Sequence, residues 1–336
     1  MLTIVCDSPG VLSAQQRTRP QRGEGEVLLR VKRVGVCGTD LHIFNGKQPY
    51  LEYPRVMGHE LSGLVEEAPA GSSLQPGDAV YVMPYLSCGH CIACRNGKTN
   101  CCVNIQVLGV HRDGALTEYL SLPQQFVHKA SGITLDQAAM IEFLAIGAHA
   151  VRRADVQAGQ RVLVVGAGPI GMAAMIFAQL RGARVTALDS RQDRLDFCVA
   201  NLGIAATVLT GSEDVAQLAE LSDGEFFDVV FDASGNAAAM ERGFQFICHG
   251  GKYVLISIVR DTISFSDPEF HKRETTLLAS RNATQEDFDT VLQAMRAGQV
   301  PDRALNTHRL TLANLPVDFA TLLDPTQGVV KAVVEC

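Results

Sequence analysis
The sequence predicts an α/β chain in two parts, a β-rich unit and a parallel sheet with crossover helices. Three observations predict it. The length, 336 residues, suits roughly two domains at about 150 residues each. The first 150 positions read as short strands and turns. From about position 160, strand-like and helix-like stretches alternate, the pattern of parallel strands joined by helices. In the first part, 27–32 and 79–83 are strand-like runs, and Gln75-Pro76-Gly77-Asp78 is a turn signal. In the second, strands are expected over 161–165, 184–188, 227–232 and 252–258, with helices over 170–180, 191–202 and 237–248. Beyond about position 283 come one helix, 286–297, and further short strands.

Composition narrows the function classes. Apolar residues make up 47% of the chain and charged residues 19%, so wholesale disorder is excluded. No run approaches the ~18 uninterrupted apolar residues of a membrane span, so no membrane partner is expected. The opening Met1-Leu2-Thr3-Ile4-Val5-Cys6-Asp7 lacks a basic region and a long apolar stretch, so no secretory signal is expected. The formal charge of −7 disfavours a nucleic-acid partner, which selects a basic surface. The ten cysteines are then expected in a reducing cytoplasm, where clustered thiols point to metal or catalysis before disulfides.

Five cysteines crowd one loop: Cys88, Cys91, Cys94, Cys101 and Cys102. Four thiolates at such short spacings suit a tetrahedral zinc at ~2.3 Å. Spacing alone leaves Cys101 and Cys102 in competition for the fourth place. Four protein ligands leave no open position for substrate, so the expected role is structural. The bland alternative is a set of free thiols.

A second constellation lies upstream in Cys37-Gly38-Thr39-Asp40-Leu41-His42 and Gly58-His59-Glu60. Thiol, imidazole and carboxylate are the ligands of a zinc site with an open position. Singly, Cys37 also reads as a small buried hydrophobe and His59 as a core histidine. Glu60 and Glu142 are the candidate carboxylates. Glu142 lies in Met140-Ile141-Glu142-Phe143-Leu144, where an acid is costly unless paired or bound to metal.

The stretch Val165-Gly166-Ala167-Gly168-Pro169-Ile170-Gly171 is a G-x-G-x-x-G between an apolar strand and an apolar helix, the context that turns a weak motif into a dinucleotide fingerprint. Gly166 supplies the turn, Gly168 lets amides approach a pyrophosphate at the helix start, and Gly171 allows close packing. Asp189 ends the next strand, where a carboxylate accepts from a ribose 2′-OH and repels a 2′-phosphate. That favours NAD over NADP. Arg191 and Arg194 pull the other way, since arginine holds phosphate. Further cofactor contacts are expected at later strand ends, in Ala233-Ser234-Gly235 and Ile256-Ser257-Ile258.

Together these residues resemble the zinc-containing medium-chain alcohol dehydrogenase/reductase family over nearly the whole chain. Glu142 falls where the sorbitol and threonine dehydrogenase branch has a glutamate. Within that branch, Phe270-His271-Lys272-Arg273-Glu274 and Ser280-Arg281-Asn282-Ala283-Thr284 look similar to the starvation-sensing and L-galactonate 5-dehydrogenase group. The resemblance implies a GroES-like, β-rich catalytic domain over 1–147 and 283–336, with a Rossmann domain of doubly wound parallel sheet over 148–282. It implies two zinc ions per chain and NAD. It favours Cys102 over Cys101, and a catalytic zinc on Cys37, His59, Glu60 and Glu142, with the two carboxylates the less settled ligands.

The resemblance also implies a reaction. A substrate hydroxyl is acidified beside zinc, and its carbon passes a hydride to the nicotinamide. Thr39 would hydrogen-bond the reacting oxygen, His42 would relay the proton, and Asp40 would orient His59. For His42 the plain alternative is a surface histidine, and for Asp40 a helix cap. Gly166, Gly168, Pro169, Ile170, Gly171, Asp189, Arg194, Ser234, Ile256 and Ser257 would hold the cofactor. Arg281 and Asn282 would face substrate, arginine suiting a sugar-acid carboxylate, though a hinge or salt bridge suits Arg281 equally. Phe44, Tyr50 and Phe270 could shape the pocket or belong to the core. The expected enzyme oxidises a polyol or sugar acid, as a homodimer or homotetramer. Sorbitol, threonine and sugar-phosphate dehydrogenases are its rivals, and a zinc-stabilised regulatory protein without catalysis is a distant one.

Overall fold
The structure is a computed structural model that describes every residue except Pro49 and Tyr50. Tyr50, one of the candidate pocket residues, therefore lies outside the described residues. The chain divides into two compact units, 1–142 with 284–336, and 143–283. Sequence reading expects the first boundary at 147. The observed division falls early in the helix Ile141–Arg153, whose continuous periodicity gives no break to read.

The first unit is built on a seven-stranded sheet. Its strands run in the order Asn306–Thr311, Lys331–Glu335, Glu26–Val36, Glu60–Glu67, Ala79–Val82 and Val127–Lys129, and Tyr119–Pro123 also pairs with Glu26–Val36. The C-terminal tail thus returns to the sheet of the first unit. Lys331–Glu335 lies antiparallel to Glu26–Val36, with Ala332 opposite Val36. The strand Glu26–Val36 carries Val27, Leu28, Leu29, Val31 and Val34 into the core. Fully burying each such side chain contributes roughly 1.5–3 kcal/mol.

The second unit holds a six-stranded, all-parallel sheet in the order Ala206–Leu209, Arg184–Asp189, Arg161–Val165, Phe227–Asp232, Ile247–Leu255 and Thr276–Ala279. The order turns back on either side of Arg161–Val165. Ligands bind at such a switch point, beyond the carboxyl ends of the strands. The helix Pro169–Leu180 buries every residue from Gly171 to Ala178, as expected of a helix apolar all round.

Several elements differ from expectation: the strands Ala206–Leu209 and Thr276–Ala279 and the helix Asp214–Leu221 are not among those expected, and the strand expected over 252–258 runs Ile247–Leu255. The helix expected over 237–248 stops at Gly243, a short 3₁₀ turn follows, and the next strand already begins at Ile247. Gly243 sits against Tyr253, whose hydroxyl would lie 2.1 Å from a Cβ there. The close approach leaves no room for a side chain at 243, and Tyr253, whose hydroxyl donates to Met240 O, comes from the following strand, so no local pattern announces it. Among the described residues, no helix is long and apolar enough to cross a membrane.

Candidate metal and cofactor sites
The four sulfurs of Cys88, Cys91, Cys94 and Cys102 lie within 4.8 Å of one another. Sγ of Cys91 is 3.5 Å from that of Cys94 and 3.9 Å from that of Cys102. Backbone amides point at the cluster: Cys88 N–H donates to Cys102 Sγ, and Val103 N–H to Cys91 Sγ. Amides from the turn lower the Cys88 thiol to about 6, whereas desolvation and neighbouring thiols raise Cys94 to about 11. Such converging soft donors fit zinc. Cys102 is buried within the group, while Cys101 is exposed and outside it.

The second cluster is assembled from distant positions. The strand Glu26–Val36 ends just before Cys37, which opens the helix Gly38–Phe44. Asp40 ties the parts together. Its Oδ2 accepts from Cys37 N–H at 3.0 Å, its Oδ1 accepts from Gly58 N–H at 3.1 Å, and His59 Nδ1 lies 3.9 Å from Oδ1. Asp40 therefore caps the helix and faces the imidazole at once, both readings in one side chain. Ligand atoms of Cys37, His59 and Glu60 lie within 4.8 Å of one another. Glu60 is seated opposite Gly35 in the sheet, and a Cβ on Gly35 would meet its carboxylate at 2.2 Å. A glycine in the first strand thus makes room for the acid.

Two partners were not read from the sequence. Lys331, 1% exposed, sets its ammonium against both carboxylate oxygens of Glu60, itself fully buried. Burial pulls the lysine pKa down, but Glu60 and Cys37 outweigh it, so the net shift is upward and Lys331 stays charged. Tyr85 donates its hydroxyl to Glu142 Oε1. Burial and the nearby carboxylate raise the Tyr85 pKa, so the donor keeps its proton. Lys331 lies far along the chain in an apolar strand, and the one available signal was the cost of burying it there unpaired.

Glu142 is raised to about 7, first by burial and then by Glu60, against the pull of His59, Tyr85 and Lys331. Burial disfavours the charged His59, but its hydrogen bond with the Cys37 side chain and the fields of Cys37, Asp40 and Glu142 raise its pKa well above normal. His59 Nδ1 and Glu142 Oε2 are buried without a hydrogen-bond partner. An orphaned Glu142 oxygen beside a thiol, an imidazole and a second carboxylate fits a divalent ion with N, S and O ligands, the His59 ring nitrogen that faces Asp40 being left to orient the ring. Glu142 is not within the mutual 4.8 Å group. Thr39 is half-buried and His42 exposed, and partial desolvation with Lys47 lowers the His42 pKa. Phe44 packs on Phe319, with ring centroids 5.1 Å apart. In the second unit, Phe270 packs on Phe265 at 4.9 Å.

The glycine turn begins where the strand Arg161–Val165 ends. Gly166 has φ +99°, and a Cβ there would meet the Ala233 backbone at 2.8 Å. A Cβ on Gly171 would lie 1.8 Å from Gly166 O. Gly168 caps the helix Pro169–Leu180 and has open space where its Cβ would be. The two flanking glycines therefore serve packing, and the middle one leaves a clear approach to the helix start, as a pyrophosphate requires. Pro169 and Ile170 open that helix.

The other candidates line the same end of the sheet. Register pairs Val165 with Leu188 and Asp232, Asp232 with Leu255, and Leu255 with Ala279. Asp189, Ser234, Ile256, Ser257, Arg281 and Asn282 all follow at those carboxyl ends. Asp189 accepts from Ala167 N–H at 2.6 Å and from Arg191 N–H at 2.8 Å. Ser234 donates its hydroxyl to Asp232, Ile256 N–H reaches Asp232 O, and Ser257 Oγ accepts from Gly235 N–H. Arg194 is half-buried, and desolvation and Arg191 lower its pKa. The sequence did not single out Asp232, a fully buried carboxylate pushed up to about 6 by desolvation against the Ser234 hydrogen bonds.

Comparison with known proteins places these features. Residues 23–132 match the alcohol dehydrogenase GroES-like domain, and residues 169–297 match the zinc-binding dehydrogenase domain. The chain is 41% identical to L-galactonate-5-dehydrogenase of Escherichia coli K12 over 99% of its length and 98% of that protein's. It is 30% identical to the starvation-sensing protein RspB of the same organism, covering 97% of this chain and 96% of the relative. Among solved structures, the short chain alcohol dehydrogenase (rspB) of E. coli CFT073 complexed with NADH superposes with TM-score 0.93 at 26% identity, over 100% of this chain and 99% of that one. A zinc-binding dehydrogenase of Sinorhizobium meliloti bound to NADP gives 0.91, also at 26% identity, over 100% and 99%. GroES-like β unit, parallel-sheet unit and donor clusters thus come together in one conclusion: the chain belongs to the zinc-binding alcohol dehydrogenase family.

Proposed function
We propose that this dehydrogenase oxidises a secondary alcohol of a polyol or sugar acid, L-galactonate or a close analogue, with zinc and NAD. The observation that carries the reading is the convergence of Cys37, His59 and Glu60 within 4.8 Å in a chain 41% identical, end to end, to an L-galactonate-5-dehydrogenase. Zinc at that cluster supplies a Lewis acid that acidifies a substrate hydroxyl. Cys37, His59 and Glu60 would hold the ion, and Glu142, hydrogen-bonded by Tyr85, would be the further carboxylate available to it. Asp40 fixes the Cys37 and Gly58 amides and faces His59. Thr39 hydrogen-bonds the reacting oxygen, and His42, whose lowered pKa favours the neutral imidazole at neutral pH, accepts and passes on the proton. Cys88, Cys91, Cys94 and Cys102 hold a second, structural zinc.

The 166–171 turn and Pro169–Ile170 seat the pyrophosphate. Asp189 binds the adenosine ribose with Arg194 beside it, and Ser234, Ile256 and Ser257 line the site. Arg281 and Asn282 bind the substrate carboxylate and hydroxyls. The edge strand Thr276–Ala279, with Leu277 exposed, supports a homodimer joined through the parallel sheets, or a tetramer of such dimers. Ten unpaired cysteines support a cytoplasmic site of action. The test is NADH production by the zinc-replete protein over sugar acids, polyols and amino-alcohols. L-Galactonate is expected to lead. Turnover of threonine or sorbitol without L-galactonate would overturn the substrate, and no turnover of any alcohol, with salt-sensitive DNA binding instead, would overturn the enzyme.

A further inference from the structure
We propose that Asp193 sets cofactor selectivity: by chelating Arg191 it withholds that guanidinium from an adenosine 2′-phosphate and turns the site against NADP. The inference rests on reading the 166–171 turn as a dinucleotide site, and it concerns a residue outside that turn. Arg191 stands at the start of the helix Gln192–Leu202. Its own N–H donates to Asp189 Oδ1 at 2.8 Å, so its backbone is fixed beside the carboxylate that faces the ribose. Its guanidinium turns onto Asp193, with Nε donating to Oδ1 at 3.1 Å and Nη2 to Oδ2 at 2.6 Å. That bidentate fork is the same pair of donors with which an arginine grips phosphate. Asp193 and an incoming 2′-phosphate are therefore competitors for one group.

Charge reinforces the competition. Between positions 189 and 194 the chain carries Asp189, Arg191, Asp193 and Arg194, a balanced set. Removal of Asp193 leaves two guanidiniums and a helix start against one carboxylate, a favourable setting for a phosphate dianion. Asp189 alone does not account for selectivity here, because an arginine two residues on would offset it were its fork available. The pair is solvent-accessible, 36% and 56% exposed for the two side chains. Ion pairs so exposed contribute little to stability, so the variants are expected to fold.

The test is fluorescence titration of the full-length protein with NADH and with NADPH, read as the ratio of their dissociation constants. Asp193→Ala is expected to shift the ratio toward NADPH by about tenfold, the scale of one additional charge-assisted hydrogen bond to the phosphate. The shift should shrink as salt rises, and Asp193→Glu should restore much of the original ratio. Adding Arg191→Ala to Asp193→Ala should erase the shift. An unchanged ratio in Asp193→Ala, with NADH still bound, overturns the inference. So does a shift that survives the loss of Arg191, since general charge would then explain it. Failure of the unaltered protein to bind either nucleotide overturns the dinucleotide reading itself, a result plainly different from the other two.

Discussion

The four-cysteine lobe and the Cys37–His59–Glu60 site are both donor clusters of one unit, yet they are built by opposite means. The lobe takes all its ligands from positions 88 to 102, and neighbouring amides steady the sulfurs. The second site draws on residues 37, 59, 60, 85, 142 and 331, brought together by strand register and helix ends. Its carboxylates are buried and each has a partner: Glu60 pairs with the Lys331 ammonium, and Glu142 accepts from the neutral Tyr85 hydroxyl. A local cluster depends on its metal to order a short loop. An assembled cluster depends on the whole sheet, and its cost is the burial of ionised groups.

That contrast can be broken most directly at the lobe. Cys94→Ser is expected to remove one of the two zinc ions and to destabilise the loop by several kcal/mol, since structural zinc binding is itself folding free energy. Elemental analysis with thermal unfolding checks it. A variant that keeps both ions would show that the lobe is not a zinc site. The assembled site is probed next by Lys331→Met. Glu60 is then left buried without its counter-ion, a loss of about 3–5 kcal/mol. Adding Glu60→Gln should restore much of it, because removing both charges of a buried pair is far less harmful than removing one. Urea unfolding of the metal-depleted protein reads both variants. Unchanged stability in Lys331→Met would mean that the pair adds nothing and that the two clusters do not differ in the way argued.

The same contrast explains what the sequence could and could not tell. The cysteine lobe and the glycine turn were legible because each is local: the donors or the glycines lie within a few residues and need no knowledge of the fold. Alternating periodicity likewise revealed four of the six parallel strands, but not the short edge strands Ala206–Leu209 and Thr276–Ala279. Cys37 and His59 were visible as residue types, but their meeting depends on how Glu26–Val36 pairs with Glu60–Glu67, which no spacing encodes. Lys331 and Tyr85 were invisible for the same reason. Gly35 lies beyond the strand-like run 27–32, and nothing local marks it as the residue that makes space for Glu60. The helix end at Gly243 was missed because the close neighbour of that glycine, Tyr253, comes from the following strand.

A third buried carboxylate sharpens the comparison. Glu60 has an ammonium beside it, whereas among the described residues the Asp232 carboxylate accepts hydrogen bonds from the Ser234 amide and hydroxyl alone. Without a cation, desolvation raises Asp232 to about 6, against about 3.9 for a free aspartate. Between those values the folded chain holds a proton that the unfolded chain has released. Stability therefore falls as pH rises through this window, by an amount of order 3 kcal/mol, and the penalty is complete above pH 6. Asp232→Asn keeps an acceptor for Ser234 and removes the charge, so it should flatten this part of the profile. Urea unfolding at intervals from pH 4 to pH 7, variant against unaltered chain, decides it; parallel profiles would show that Asp232 is ionised at no cost.

The smallest expected effect belongs to Asp189, which lies at a strand end and is only half-buried. It already accepts from two backbone amides, so its place is fixed before any ribose arrives, and the entropy of positioning it is not charged to binding. Asp189→Ala should weaken NADH by about tenfold, the scale of one charged hydrogen bond lost, and relax discrimination against NADPH. Because the same change frees the Ala167 and Arg191 amides, a uniform loss for both nucleotides would signal a disturbed turn rather than a lost ribose hydrogen bond. Asp189→Asn separates the two. It keeps an acceptor for one of the two amides, so it disturbs the turn less than Ala does, and it removes the charge that repels a 2′-phosphate. Selectivity that moves in Asn as in Ala assigns the role to charge at the ribose, and selectivity that stays fixed in both removes Asp189 from that role.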